Sequence, residues 1–124
     1  MRYVLIVDDD PAMRRAIERM LAGHCETVLV ETAEHAVRLL DELVFDVVIS
    51  DRELARPGQG GVWLLGQVRE RQPDALRVLM SGSEPQDLTD HIDSGLVQKW
   101  IPKPFDPEEM LGCLKMQAFR RAHA

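Results

Sequence analysis

The sequence predicts an α/β fold, an open doubly wound sheet of five parallel strands with helices packed against it. Three observations predict it. Short β-branched apolar runs alternate five times with amphipathic stretches. The central runs are apolar at every residue rather than at every second one, as strands covered on both faces must be. The 124 residues suit one domain, and no linker, repeat or low-complexity tract divides them.

Tyr3-Val4-Leu5-Ile6-Val7 is the first strand. Asp10-Pro11 then opens a helix, with Asp10 as the cap and Pro11 at the first helical position. Met13, Ala16, Ile17, Met20 and Leu21 form its apolar stripe, Arg14, Arg15, Glu18 and Arg19 face water, and Gly23 closes it. Residues 27–30 form the second strand. Residues 33–43 form a helix with Ala36, Leu39, Leu40 and Leu43 inward. The third strand, 45–50, holds the most apolar run, Val47-Val48-Ile49. A Gly- and Pro-bearing loop over 51–60 leads to a helix ending near Arg71. Residues 76–80 are the fourth strand, 85–94 a short polar helix and 98–101 the fifth strand. Asp106-Pro107 repeats the Asp-Pro helix start, and Leu111, Leu114 and Ala118 carry the stripe of the last helix. The basic segment 119–124 reads as a frayed helix end or the start of something further.

Composition narrows the function. A net charge of −6 argues against direct nucleic-acid binding, which needs a basic face. The run Asp8-Asp9-Asp10 is mutually repulsive and suits a cation. Cys25 and Cys113 are far apart with no Cys-x-x-Cys spacing, as expected of free thiols in a reducing compartment. His24, His35, His91 and His123 share no metal-ligand spacing and read as surface residues. No apolar run approaches the roughly 18 residues of a membrane span, and the chain enters its first strand directly, without a signal peptide. A cytoplasmic protein without membrane contact is expected.

In doubly wound sheets, ligands bind beyond the carboxyl ends of the strands, at the switch point in strand order. Asp8 and Asp9 follow the first strand, Asp51 the third, Ser81 and Gly82 the fourth, and Lys103 and Pro104 the fifth. With strands in the order 2-1-3-4-5, these residues meet at one edge. Asp8, Asp9 and Asp51 can supply carboxylates to Mg²⁺ or Mn²⁺. An aspartate can also act as a nucleophile and form an aspartyl phosphate. Lys103 offers a compact positive charge to a phosphoryl oxygen, and Ser81 a hydrogen bond. Each residue alone has a plain structural explanation, so the joint arrangement carries the argument.

Four segments carry a resemblance: Val4-Leu5-Ile6-Val7-Asp8-Asp9-Asp10, Asp46-Val47-Val48-Ile49-Ser50-Asp51, Val78-Leu79-Met80-Ser81-Gly82 and Ile101-Pro102-Lys103-Pro104-Phe105. Together they resemble the receiver domain of two-component response regulators, which has a flavodoxin-like fold. The resemblance spans essentially the whole chain, 1–124, as one receiver domain with no output domain. It implies Asp51 as phosphoacceptor, Asp9 as a direct Mg²⁺ ligand, Asp8 holding the ion largely through water, and the backbone carbonyl of Glu53 as a further ligand. It implies Ser81 as switch hydroxyl, Lys103 as phosphate-binding lysine with a cis bond to Pro104, and Trp100 as a switching aromatic. The implied donor is a sensor histidine kinase or a phosphotransfer protein. The implied recipient is a downstream effector, a C-terminal output domain or a second copy of the chain. It would bind the 85–94 helix, last strand and last helix, with Lys99, Asp87, Asp90 and Asp93 on the rim. A weaker similarity, in Ile92-Asp93-Ser94-Gly95 and Trp100-Ile101-Pro102-Lys103-Pro104, points to receivers joined to cyclic-nucleotide-turnover domains. The chain departs from the family pattern at Ala55, where a proline is usual. Its 55–61 loop is about two residues longer, which costs little to close.

Two other readings compete. A receiver-like interaction module that is never phosphorylated has no need of the complete acidic, hydroxyl and ammonium set. An aspartyl-nucleophile phosphohydrolase typically carries a second acid two residues on, which Asp51-Arg52-Glu53 imitates, together with a capping insertion that is absent.

Overall fold

The architecture was obtained as a computed structural model, which describes residues 3–55, 58–82 and 88–124. Five parallel strands, β1 (Tyr3–Val7), β2 (Glu26–Val30), β3 (Val47–Asp51), β4 (Leu76–Ser81) and β5 (Lys99–Pro102), form one sheet in the order β2-β1-β3-β4-β5. The helices are α1 (Pro11–Leu21), α2 (Ala33–Leu40), α3 (Gly61–Arg71), α4 (Thr89–Asp93) and α5 (Pro107–Ala122). The predicted fold class and strand order are both observed.

Alternation along the strands divides the core in two. Val4 and Ile6, Val47 and Ile49, and Val78 and Met80 pack against α1 and α5 through Ile17, Leu21, Met110, Cys113 and Leu114. Leu5 and Val7, Val48 and Leu79 face the other way, toward α2 and α3 and the segment 88–97. All these side chains are buried, which is why the apolar runs of the central strands do not alternate with polar residues as a one-sided strand would.

The caps fall where the sequence placed them. Asp10 accepts from the Ala12 amide at 2.9 Å and Asp106 from the Glu109 amide at 3.0 Å. These bonds satisfy amides that the first turn leaves without partners.

Several boundaries and faces differ from expectation. The second helix ends at Leu40, not 43, and Leu43 is exposed. Gln72 is responsible: its side-chain amide donates to the carbonyls of Leu40 and Leu43 and accepts from the Phe45 amide. The chain therefore leaves α2 as a loop tied to the end of α3. In α5 the buried face is Met110, Cys113, Leu114 and Gln117, while Ala118 is exposed and Leu111 only half-buried. Gln117 is buried although polar because it donates to the carbonyls of Asp46 at 2.7 Å and Asp74 at 2.8 Å. The segment 119–122 continues α5.

Arg14, expected in water, is half-buried and donates to the carbonyl of Asp8 at 2.7 Å. Among the described residues the fourth helix covers only Thr89–Asp93. The expected start at 85, with Asp87, lies outside them. Of the histidines, His91 is half-buried and the other three are exposed. Neither Cys25 nor Cys113 is part of a disulfide. Burial pushes the Cys113 thiol up to about 12, so it stays protonated and unreactive at neutral pH. Among the described residues no helix is long and apolar enough to cross a membrane.

Candidate functional site

Register brings the strand exits level. Val7 pairs with Ser50, Asp51 with Met80 and Ser81 with Pro102. The residues that follow β1 and end β3 and β4 therefore share the carboxyl edge of the sheet, and Lys103 follows β5 beside them. The Lys103 amide donates to the carbonyl of Ser81 at 3.1 Å. The Lys103-Pro104 bond is cis.

Three carboxylates converge here. One oxygen each from Asp8, Asp9 and Asp51 lies within 4.8 Å of the others. Asp8 is buried, Asp9 is exposed and the side chain of Asp51 is 13% exposed. Lys103 Nζ stands 3.1 Å from Asp51 Oδ1 and 3.7 Å from Asp8 Oδ2. Beyond the acids a cleft of about 310 Å³ is lined by Asp51, Arg52, Glu53, Ser81, Gly82 and Lys103.

The electrostatics are those of a site built for a cation. Burial raises the Asp8 carboxyl above its ordinary value, and the charges of Asp51 and Asp9 push it further. The Asp10 amide, bonded to Asp8 Oδ1 at 2.9 Å, and the Lys103 ammonium oppose this. Asp8 Oδ2 is sealed from solvent and has no hydrogen-bond donor. A buried carboxylate oxygen in that state is costly, and a hard divalent ion held by the three carboxylates would remove the cost. The donor set therefore fits a small oxygen-ligated cation.

The remaining candidates divide. Ser81 is buried on the cleft. Glu53 is exposed, with its amide 3.4 Å from Asp51 Oδ1. Trp100 pairs with Leu79 and does not line the cleft. It is half-buried against the Leu88–Val97 side of the core, and its indole nitrogen is buried without an acceptor.

Two contributors were missed in the sequence. Arg14 braces the Asp8 carbonyl from α1, and nothing in the local pattern marks it. Arg52 lines the cleft, and its place beside Asp51 was the available signal. Gly61 is a third, structural one: a β-carbon there would collide with the Asp51 carbonyl and come within 2.9 Å of the Arg52 α-carbon. Only glycine lets α3 start against the end of β3.

Residues 4–115 match the model of the response regulator receiver domain. The chain belongs to this family. It is 30% identical over 113 residues to the hydrogenase transcriptional regulatory protein HoxA of Bradyrhizobium diazoefficiens, a match covering 90% of this chain and 23% of that protein. The chain thus spans under a quarter of that relative's length. In structure the receiver is similar to a CheY-like response regulator receiver domain protein of Methanospirillum hungatei, with a TM-score of 0.88 at 21% identity. That alignment covers 100% of this chain and 99% of the other. It is also similar to the response regulator TrrA of Thermotoga maritima, solved in complex with Mg²⁺-BeF, with a TM-score of 0.80 at 25% identity, covering 94% and 99% of the two chains.

Proposed function

We propose that this receiver is a phosphorylation-dependent signalling switch in which Asp51 accepts a phosphoryl group from a phosphohistidine on a sensor kinase or phosphotransfer protein. The carrying observation is the Lys103 ammonium seated between Asp51 and Asp8, within a three-carboxylate cluster that opens on a cleft. Asp51 Oδ attacks phosphorus, the donor's P–N bond breaks as the new P–O bond forms, and the imidazole leaves with the electron pair. Asp8, Asp9, Asp51 and the Glu53 carbonyl would hold Mg²⁺ or Mn²⁺, which when bound neutralises charge on the phosphoryl oxygens. The Mg²⁺-BeF complex of TrrA supports this. Lys103 binds one phosphoryl oxygen and Ser81 donates to another. Catalysis is positioning and electrostatics, as in phosphoryl transfer generally. The same groups assist hydrolysis of the aspartyl phosphate, and Glu53, exposed two residues from Asp51, influences its lifetime.

Readout follows from Ser81. Drawn toward the phosphoryl group, its loop frees space beneath α4, and Trp100 turns into it. The altered face of α4, β5 and α5, rimmed by Lys99, Asp90 and Asp93, binds an effector, an output domain or a second copy of the chain. Residues 1–124 act as one receiver unit, and a transcriptional relative more than four times as long as the matched segment supports an attached output. Two cysteines outside any disulfide support a cytoplasmic setting.

Intact-mass measurement tests the reading. With a small phosphodonor and Mg²⁺ the chain should gain one phosphoryl group. A chelator should suppress the gain and Asp51→Asn should abolish it. Undiminished modification of Asp51→Asn would sink the assignment. Steady phosphate release from many phosphoesters would favour a phosphohydrolase instead.

A further inference from the structure

We propose that Arg52 is a second phosphoryl-binding cation of the cleft, acting beside Lys103. The proposal rests on the reading of Asp51 as phosphoacceptor. Arg52 follows Asp51 directly, and its backbone is held on both sides. Its amide donates to the Met80 carbonyl at 2.8 Å and its own carbonyl accepts from the Gly61 amide at 2.9 Å. The side chain thus departs from a fixed point between β4 and the start of α3, and the residue lines the same cleft as Asp51, Ser81 and Lys103.

The guanidinium is treated unlike the other cations around the site. Lys103 faces two carboxylates and Arg14 holds a carbonyl. Arg52 Nη1 is shut off from solvent and has no acceptor. Among the described residues no carboxylate stands within ion-pairing distance of it. A guanidinium nitrogen that has lost water and gained no partner is unfavourable, so this geometry is held at a cost that an incoming acceptor would offset. A phosphoryl group on Asp51 is such an acceptor. It carries its oxygens farther into the cleft than the carboxylate reaches, and the planar guanidinium fork matches two of them better than an ammonium does. Lys103 already serves the unphosphorylated carboxylates. Arg52 has no role toward them, so its effect falls on the phosphorylated state.

Calorimetric titration of the Mg²⁺-saturated chain with beryllium fluoride, a phosphoryl mimic, tests this on wild type, Arg52→Lys and Arg52→Met. Arg52→Met should bind the mimic roughly ten- to hundredfold more weakly, the range of a charge-assisted hydrogen bond. Arg52→Lys, which keeps the charge and loses the fork, should fall between. Mg²⁺ affinity without the mimic should stay near wild type. The thermal midpoint of Arg52→Met should not fall, since an unpaired buried nitrogen is removed, whereas a purely structural role would lower the midpoint. Equal affinity of Arg52→Met and wild type overturns the proposal. If wild type itself binds no mimic, the reading of Asp51 fails, and the proposal with it.

Discussion

Lys103 Nζ stands 3.1 Å from Asp51 Oδ1, although Asp51 ends β3 and Lys103 follows β5, with β4 between those strands. The contact exists because β3, β4 and β5 finish level. It has a testable consequence. Lys103→Met should slow phosphoryl incorporation from a small donor roughly 100-fold, the usual cost of losing one aimed donor, with Asp51 still the site modified. Time-resolved intact-mass measurement checks this, and an unchanged rate would remove Lys103 from the chemistry.

Asp8 makes the metal-free protein sensitive to pH. Burial first, then Asp51 and Asp9, raise its carboxyl, so the folded chain holds that proton more tightly than the unfolded chain does. The stability this contributes is fully present below the ordinary carboxylate value and is lost as pH rises through the raised one. In chelator at neutral pH, Asp8→Asn should therefore melt a few degrees above wild type. The gap should narrow as pH falls toward 4. Identical midpoints at neutral pH would contradict the argument.

Gly61 and Gly66 share α3 and should respond oppositely to alanine. At Gly61 the new methyl meets Leu79 Cδ1 at 2.8 Å and the Asp51 and Arg52 backbone, so about 1–3 kcal/mol or more of stability should be lost. At Gly66 nothing lies within 4 Å, and the helix should gain about 0.5–1 kcal/mol. Urea denaturation of the two variants decides it. A tolerated Gly61→Ala would mean that α3 can move off β3.

Trp100 is the expected reporter of the switched state. Its buried indole N–H lacks an acceptor, which penalises the arrangement by about 1–3 kcal/mol and leaves it poised to turn. In a Trp63→Phe background, Mg²⁺ and beryllium fluoride together should change Trp100 emission, and Ser81→Ala should blunt the change. An unaltered spectrum at full occupancy would make Trp100 a static packing residue.

The sequence by itself determined the five strands, the two Asp-Pro helix starts and the acids, hydroxyl and lysine at the strand exits. These are local signals. A β-branched run stays apolar whatever covers it, a capping aspartate acts within three residues, and strand ends are places where ligands gather in any parallel sheet. The family motifs were legible for the same reason.

Tertiary structure alone decided what depends on partners distant in the chain. Gln72 ends α2 by bonding Leu40 and Leu43. Gln117 is buried because the carbonyls of Asp46 and Asp74 await it. Arg77 is buried within β4 because the carbonyls of Leu96 and Gly95 take its guanidinium. Arg14 turns inward to Asp8, and Arg52 Nη1 is buried without an acceptor. Whether a polar side chain faces water or the core depends on which carbonyl groups the completed fold leaves without donors, and no window of neighbouring residues contains that information.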